Sequence, residues 1–193
     1  MLAVALDAVD YADPTPIDGV LTLGVDTRLA FGPRDLPIAY GFGIDYQLGA
    51  STPGGFAYAL SLWPAGVGVV IGDTAFLGVY GGGGFSGVTA RVPFSGQLET
   101  EARLLCDVPG PFALSAAARA AWVAASARQD GSPSFGFADE ARGFVGVRVG
   151  HEDDKYGINS GRGALVAFDV REAFGTHGYG LIVGYQIDGL YEP

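Results

Sequence analysis

The chain alternates apolar and polar residues with a period of two over most of its length. Between Val20 and Phe31 the odd-numbered positions are mainly apolar, whereas the even-numbered positions include Thr, Gly, Asp and Arg. Successive side chains of a β-strand point to opposite faces, so a strand separates these two sets and a helix would mix them. The pattern therefore predicts an amphipathic β-strand.

The same alternation recurs in segments that are separated by turn-forming residues. A turn rich in Pro and Gly at 32–37 divides the first strand from a second one, which runs from Ile38 to Gly49. Further alternating segments predict strands at 56–62, 67–71, 75–88, 94–107, 145–150, 164–171 and 179–191, with another candidate at 2–7. The connections are mostly short, which predicts antiparallel neighbours.

The segment from Phe112 to Arg128 is compatible with two kinds of secondary structure. It is rich in Ala, the strongest helix former, and it follows Pro111, which suits the first position of a helix. Its neighbours on both sides alternate like strands, however, and local choices usually agree with the surrounding fold. We therefore predict a strand and keep a helix as the alternative.

These segments predict an all-β fold, a closed antiparallel up-and-down β-barrel of about 8–10 strands that is transmembrane. A length of 193 residues fits one domain, so residues 1–193 are assigned to a single β-barrel domain. Residues 1–18 would form an N-terminal segment or the first strand. Residues 19–191 would form the barrel.

The direction of the apolar face separates a membrane barrel from a soluble one. In a membrane barrel the apolar face meets lipid, whereas in a soluble lipocalin-like barrel it lines a cavity that binds a hydrophobic small molecule. Only 17% of the residues are charged, compared with about 25% in average soluble proteins. The other face is mostly Gly and Ala, so the composition favours the membrane form, and the soluble barrel remains the alternative.

Charged residues of both signs occupy the face opposite the apolar one. In a barrel interior such charges must be paired, and the forked guanidinium group of Arg suits that pairing. The predicted lumen charge network consists of Asp26, Arg28, Asp45, Glu99, Glu101, Arg103, Arg119, Arg148, Asp169, Arg171 and Asp188. Side chains largely fill barrels of this size, so a plugged interior is favoured over a pore.

Aromatic residues recur on the apolar face, often near the ends of the predicted strands. Membrane barrels carry girdles of aromatic residues at both lipid–water interfaces. The predicted lipid-interface aromatics are Phe31, Tyr40, Tyr46, Phe56, Phe94, Phe112, Trp122, Tyr179, Tyr185 and Tyr191. Their shared phase along the strands, rather than any single residue, supports this interpretation.

The last predicted strand alternates large apolar residues with Gly, Gln and Asp, and its apolar positions are Tyr179, Leu181, Val183, Tyr185, Ile187 and Tyr191. Together with the preceding segments it resembles the small bacterial outer-membrane β-barrel proteins, whose last strand carries alternating aromatics and ends in an aromatic residue. The resemblance is one of pattern, covers most of residues 19–191, and is weakened where the chain continues to Glu192 and Pro193. It implies a bacterial outer-membrane location, membrane lipid as a partner, and a structural, surface-interaction or narrow-channel role.

Composition argues against several other classes of function. The net charge is −10 and Lys155 is the only lysine, so the chain lacks the basic cluster that nucleic acids require. Cys106 is the only cysteine and has no partner for a disulfide or a cysteine metal site. We expect no nucleic acid, no cofactor and no metal.

Candidate catalytic chemistry is sparse, and we expect no catalytic residues. His151 and His177 are the only histidines, so a membrane-embedded lipid-modifying enzyme, which would need a serine facing one of them, is a third alternative. The acidic run 151–154, together with Asn159, has oxygen ligands for Ca²⁺ but lacks the order of an EF-hand. The run Gly81–Gly84 lacks the rest of a phosphate-binding loop, so we expect a bend or the close approach of a bulky neighbour.

The long connection 128–141 contains Phe135 and Phe137, and we expect any surface partner to bind there. Residues 1–9 are apolar but contain Asp7 and lack the positively charged start of a secretory signal peptide. We therefore expect a mature chain with an added Met.

Overall fold

The computed structural model describes residues 2–10, 18–32, 36–52, 54–72, 74–88, 92–108, 110–127, 133–134, 140–152, 161–173, 176–188 and 190–191. Its strands are β1 (Leu2–Asp10), β2 (Asp18–Phe31), β3 (Ile38–Ser51), β4 (Phe56–Ile71), β5 (Ala75–Val88), β6 (Val92–Val108), β7 (Phe112–Ala127), β8 (Pro133–Ser134), β9 (Glu140–Glu152), β10 (Gly161–Ala173), β11 (Thr176–Asp188) and β12 (Leu190–Tyr191). Within these ranges no helix is long and apolar enough to cross a membrane.

The described strands form one curled, all-β sheet with up-and-down topology. Nine long strands, β2–β7 and β9–β11, pair in an antiparallel manner with their neighbours along the chain. β1 pairs with β11 on one side and with β2 on the other. The two-residue strands β8 and β12 add short pairings to β7 and β2.

The up-and-down order gives the sheet two distinct ends. At the terminal end, β1 begins at Leu2, β11 ends at Asp188, and the chain connects β2 to β3, β4 to β5, β6 to β7 and β9 to β10. The other connections lie at the distal end. Short turns at the terminal end use glycine where the backbone needs a positive φ, namely +60° at Gly72 and +94° at Gly110.

Residues 112–127 form a strand, so the alternative of a helix is wrong. Strand β7 pairs with β6 from Phe112 to Ala127 and with β9 from Phe112 to Ala121. Pairing on both sides satisfies the backbone groups of an Ala-rich segment whose intrinsic preference is helical. Here tertiary context outweighs helix propensity.

The structure extends two of the predicted strands to include the histidines. The prediction ended one strand at residue 150 and began another at residue 179, whereas the backbone of His151 belongs to β9 and that of His177 to β11. Gly81–Gly84 lie within β5, inside the strand predicted at 75–88. A register shift between Leu62 and Ala65 of β4 faces this glycine run, and Pro64 lies within the shift, as expected for a proline that cannot donate to the strand ladder.

The two faces of the sheet differ sharply in exposure. Leu98, on the outer face, is 63% exposed, and the neighbouring Glu99, on the inner face, is 2% exposed. The same contrast holds along the nine long strands, each of which exposes large apolar side chains on its outer face, for example Leu23, Tyr40, Val67, Val79, Leu98, Phe112, Val145, Phe168 and Tyr179. The inner face carries the buried charges, which is the reverse of a soluble barrel with an apolar interior.

Candidate functional site: the interior charge network

Six charged side chains from four strands meet on the inner face of the sheet and form what we call the central network. It contains three carboxylates and three guanidinium groups: Asp26 and Arg28 on β2, Asp45 on β3, Glu101 and Arg103 on β6, and Arg119 on β7. Their formal charges cancel. Charges removed from water in this way are tolerated only when they are paired and hydrogen-bonded.

Arg28 connects two carboxylates that lie on different strands. Its guanidinium group donates to both carboxylate oxygens of Asp45, with one bond of 2.9 Å, and to Oε2 of Glu101 at 2.9 Å. A weaker contact of 3.3 Å joins it to Asp26 on its own strand. The fork geometry of Arg allows these simultaneous bonds, which a lysine could not reproduce.

Two further arginines complete the central network. Arg103 donates to Oδ2 of Asp26 at 2.6 Å and to Oε1 of Glu101 at 3.0 Å. Arg119 donates to Asp45 and, at 3.0 Å, to Oε2 of Glu101. Glu101 therefore accepts hydrogen bonds from all three arginines and is the central acceptor of the network.

The contacts of the central network cross the interior of the curled sheet. Strands β4, β5 and β6 lie between β3 and β7 in the sheet order, yet Arg119 on β7 bonds to Asp45 on β3. Arg103 on β6 likewise reaches Asp26 on β2. These bonds therefore run across the concave side of the curled sheet, between strands that are not neighbours.

Trp63 is part of this site, although it is not among the predicted site residues. Its side chain is fully buried, and Nε1 donates to Oδ2 of Asp45 at 3.0 Å. The guanidinium carbons of Arg28 and Arg119 lie 4.4 and 4.7 Å from the centroid of the Trp63 ring, so the ring contacts two cations. The sequence does carry a signal for this position: Trp63 lies two residues after Ser61 and therefore on the same face of the strand as that polar residue.

Tyr80 also faces inward, and glycines make room for its ring. The guanidinium carbon of Arg28 lies 5.5 Å from the ring centroid. A Cβ atom on Gly41, Gly66 or Gly78 would lie 2.9, 2.3 or 2.9 Å from a Tyr80 ring carbon, respectively. The small residues of the inner face thus allow a large aromatic ring to fill the interior beside the central network.

Two more ion pairs flank the central network. Arg142 binds Asp169 with a distance of 2.9 Å between Nη2 and Oδ2, and it donates to Oε1 of Gln47 at 3.2 Å. Arg148 binds Asp107 at 3.2 Å, nearer the terminal end. Asp169 and Arg148 belong to the predicted lumen charge network, whereas Arg142 does not, because it precedes the segment 145–150 in which alternation predicted a strand.

A separate polar group lies on the inner faces of β4 and β6. Ser61 donates to Oε1 of Glu99 at 3.0 Å, and the amide nitrogen of Gln97 donates to the same oxygen. Gly84 lies between Ser61 and Gln97 in the strand register. A Cβ atom there would lie 2.1 Å from the carbonyl oxygen of Leu60, so backbone rather than a bulky side chain makes the close approach.

A small cavity adjoins the central network on the side of β9 and β11. Its volume is about 50 Å³, and its lining includes Gln47, Arg119, Arg142 and Phe144. A cavity of this size holds on the order of a few water molecules. Among the described residues, no group of three or more His, Cys, Asp or Glu side chains is arranged to hold a metal ion.

Of the predicted network residues, nine lie on the inner face, in the central network, the flanking pairs or the group around Glu99. The side chains of Arg171 and Asp188 lie outside the described residues, as do those of His151 and His177. Residues 153–154, Asn159, Phe135 and Phe137 also lie outside the description, so the acidic run and the predicted contact loop stay predictions.

The predicted interface aromatics whose side chains the structure describes lie on the outer face of the sheet. Tyr40, Tyr46, Phe56, Phe94, Phe112, Tyr179 and Tyr185 are exposed, whereas Phe31 and Trp122 are half-buried. At the distal end a run of aromatic rings crosses β4 to β6, with centroid distances of 6.1 Å for Phe56–Tyr58, 6.2 Å for Tyr58–Phe85 and 6.4 Å for Phe85–Phe94. The side chain of Tyr191 lies outside the described residues.

Comparisons with known proteins give structural neighbours but no family. No protein-family model and no curated protein match the chain. One similar solved structure is a loop L8 deletion mutant of OmpT, an outer membrane protein of Vibrio cholerae, with 12% identity and a TM-score of 0.38 over 94% of this chain and 62% of that chain. Another, from work on the in-meso crystallization of membrane proteins, has 10% identity and a TM-score of 0.32 over 96% of this chain and 83% of that one. The chain thus spans about 62% of the length of the OmpT mutant, and its structural neighbours include an outer membrane protein at low sequence identity.

Proposed function

We propose that the chain forms a closed, ten-stranded transmembrane β-barrel of the outer-membrane type whose interior is plugged by the central network. The protein would have a structural role or would present a binding surface to a partner. It would not act as an open channel. The observation that carries this proposal is the inverted burial, with large apolar side chains exposed outside and ion pairs buried inside.

The strand pairing supports closure of the barrel. Strand β1 pairs with both β2 and β11, so the described ladder returns to its starting strand. A closed ladder leaves no long row of unpaired backbone groups, which is the condition for a β-structure to cross a bilayer. With β1 included, the proposed ring would have ten strands, with Leu2 and Asp188 at the same end of the sheet.

The outer surface supports insertion into lipid. In a soluble monomer the largest exposed apolar patch usually covers only about 300–600 Å². Here the exposed apolar side chains are not confined to one patch, because each of the nine long strands contributes some of them. These strands have 13 to 17 residues, and about 9–11 tilted residues cross a bilayer. Stacked rings at both ends, such as Phe31–Phe42 and Phe168–Tyr179, suit the two lipid–water interfaces.

The cross-interior ion pairs favour a plug over a channel. Arg28 on β2 bonds to Glu101 on β6, and Arg119 on β7 bonds to Asp45 on β3, so both ion pairs cross the interior. Opening a path through this level would break several buried ion pairs at once. A narrow channel that opens only when the central network rearranges is the second candidate.

Reconstitution into lipid vesicles tests the proposal. We expect the protein to resist extraction by alkaline carbonate, to migrate differently on a denaturing gel before and after boiling, and to conduct no ions in a planar bilayer. A stable monomer that purifies without detergent would contradict the membrane assignment. Steady single-channel conductance by the unmodified protein would instead contradict the plug while leaving the membrane barrel intact.

A further inference from the structure

The inner face of β6 carries a polar group whose hydrogen-bonding capacity is incompletely used. Ser95, Gln97 and Glu99 occupy successive inward positions on this strand, and their exposures are 1%, 9% and 2%. The amide nitrogen of Gln97 donates to Glu99, as does the hydroxyl of Ser61. The central network does not include any of these side chains.

Two buried oxygens in this group lack a hydrogen-bond partner within the protein. They are Oγ of Ser95 and Oε1 of Gln97. Leaving such an atom buried and unsatisfied costs about 1–3 kcal/mol, so native proteins normally supply a partner. The amide oxygen of Gln97 can only accept, and its partner must therefore be a hydrogen-bond donor or a cation.

The charge balance of the interior favours a cation. Among the described inward side chains there are six carboxylates and five guanidinium groups, the five being those of Arg28, Arg103, Arg119, Arg142 and Arg148. An excess of negative charge in a buried region is stabilised by a positive partner. An anion would add to the imbalance and is disfavoured.

The chemistry of the side chains narrows the kind of cation. Ser95 offers a hydroxyl oxygen, Gln97 an amide oxygen and Glu99 a carboxylate. Oxygen ligands of this kind bind hard cations, whereas soft transition metals prefer nitrogen and sulfur.

We propose that the inner face of β6 binds a small hard cation through Ser95 and Gln97, with Glu99 supplying the negative charge. The site differs from the central network, and it does not depend on insertion of the barrel into a membrane. With one carboxylate, it would accept Na⁺ or Ca²⁺ through the same oxygen chemistry.

Thermal unfolding in detergent, followed by circular dichroism, tests this site directly. The protein is first treated with a chelator and dialysed into choline chloride, because choline carries its charge on a methylated nitrogen and is not a hard cation. Addition of NaCl or CaCl₂ is expected to raise the midpoint by about 5–10 °C at a concentration 100-fold above the Kd of the cation that binds. The salt that raises the midpoint identifies the cation that binds.

Two variants separate the site from general effects of salt. Ser95→Ala and Gln97→Met should each reduce the cation-dependent shift at least threefold. Ser115 is the matched control, since it is also 1% exposed but already accepts a hydrogen bond from Gln186 at 3.1 Å. Ser115→Ala should lower the midpoint while keeping the full cation-dependent shift.

The result that overturns the proposal is an unfolding midpoint that is the same in choline, Na⁺ and Ca²⁺, which would mean that only water occupies the site. The proposal would also be overturned if the cation-dependent shift of the midpoint were equal in the wild type, Ser95→Ala and Gln97→Met.

Discussion

The ring of Tyr80 occupies the space that a side chain at Gly66 would need. A Cβ atom built on Gly66 would lie 2.3 Å from Cδ1 and 2.6 Å from Cε1 of Tyr80, well inside van der Waals contact. Tyr80 is 2% exposed and adjoins Arg28 of the central network. The glycine therefore determines where a buried aromatic ring can lie, and through that ring it supports the charged interior.

Replacing Gly66 with Ala should destabilise the protein. The Tyr80 ring is rigid and confined between strands, so the added methyl group forces a shift that costs about 1–3 kcal/mol. In thermal unfolding this corresponds to a decrease of about 2–4 °C in the midpoint for each kcal/mol. Gly81→Ala is the matched control, because a Cβ atom at Gly81 has no atom within 4 Å.

The Gly81 variant should keep the wild-type midpoint within about 2 °C, which corresponds to the ±0.5 kcal/mol expected of a neutral surface substitution. Equal destabilisation by the two substitutions would show that loss of glycine in a strand, and not the Tyr80 contact, is responsible.

Glu101→Gln tests the central network. Glu101 accepts hydrogen bonds from Arg28, Arg103 and Arg119, so neutralising it leaves three buried guanidinium groups facing two carboxylates. Removing one partner from a buried ion pair typically costs about 3–5 kcal/mol. Urea unfolding in detergent should show this loss, while Glu172→Gln, at an exposed position on β10, should change stability by less than about 0.5 kcal/mol.

A second substitution should restore part of the lost stability. Arg119→Met in the Glu101→Gln background returns the central network to two cations and two carboxylates. The double variant is therefore expected to be more stable than Glu101→Gln alone. If the stability lost in the double variant equals the sum of the losses in Glu101→Gln and Arg119→Met, then the energetic coupling between Glu101 and Arg119 that the geometry implies is absent.

The two tryptophans should report opposite environments. Trp63 is fully buried inside, whereas Trp122 lies on the outer face of β7 opposite Leu98. In vesicles with brominated acyl chains, Trp63→Phe, which keeps Trp122, should lose most of its fluorescence. Trp122→Phe, which keeps Trp63, should lose little, and equal quenching of the two variants would argue against a lipid-facing outer surface.

The alternation of side chains made the two faces predictable, because neighbouring positions of a strand must point apart. Glu99 and Leu98 follow that rule in the structure. Trp63 was missed because large aromatics were assigned to the apolar face, even though its position relative to Ser61 placed it inside. The inward orientation of Tyr80 was not predicted, because its neighbours on the same face, Gly78 and Gly82, have no polar side chain that would identify the face as the inner one.

The partners within the central network could not be predicted from sequence. Strand pairing follows from chain order, since consecutive strands are neighbours in an up-and-down sheet. The bond from Arg119 to Asp45 joins strands that are not neighbours, and it depends on how far the sheet curls and on the side-chain volume inside. That information lies in the three-dimensional packing of many small residues rather than in any local pattern.

Leu98→Arg separates a lipid-facing outer surface from a water-facing one. Leu98 is 63% exposed and lies near the middle of β6. In water, an exposed Leu accepts Arg with a change of about 0.5 kcal/mol or less, but at the midplane of a bilayer an Arg on the lipid face of a barrel costs about 2–4 kcal/mol. We expect the larger loss when unfolding is measured in lipid vesicles.

Val108→Arg is the control for Leu98→Arg, because Val108 is also exposed on the outer face but lies at the end of β6. Near the lipid–water interface the same substitution costs only about 0–1 kcal/mol, since the guanidinium group reaches the headgroups. The difference between the two positions therefore measures depth in the bilayer. Equal small losses at both would place the outer face of β6 in water and leave its exposed apolar residues for a protein partner to cover.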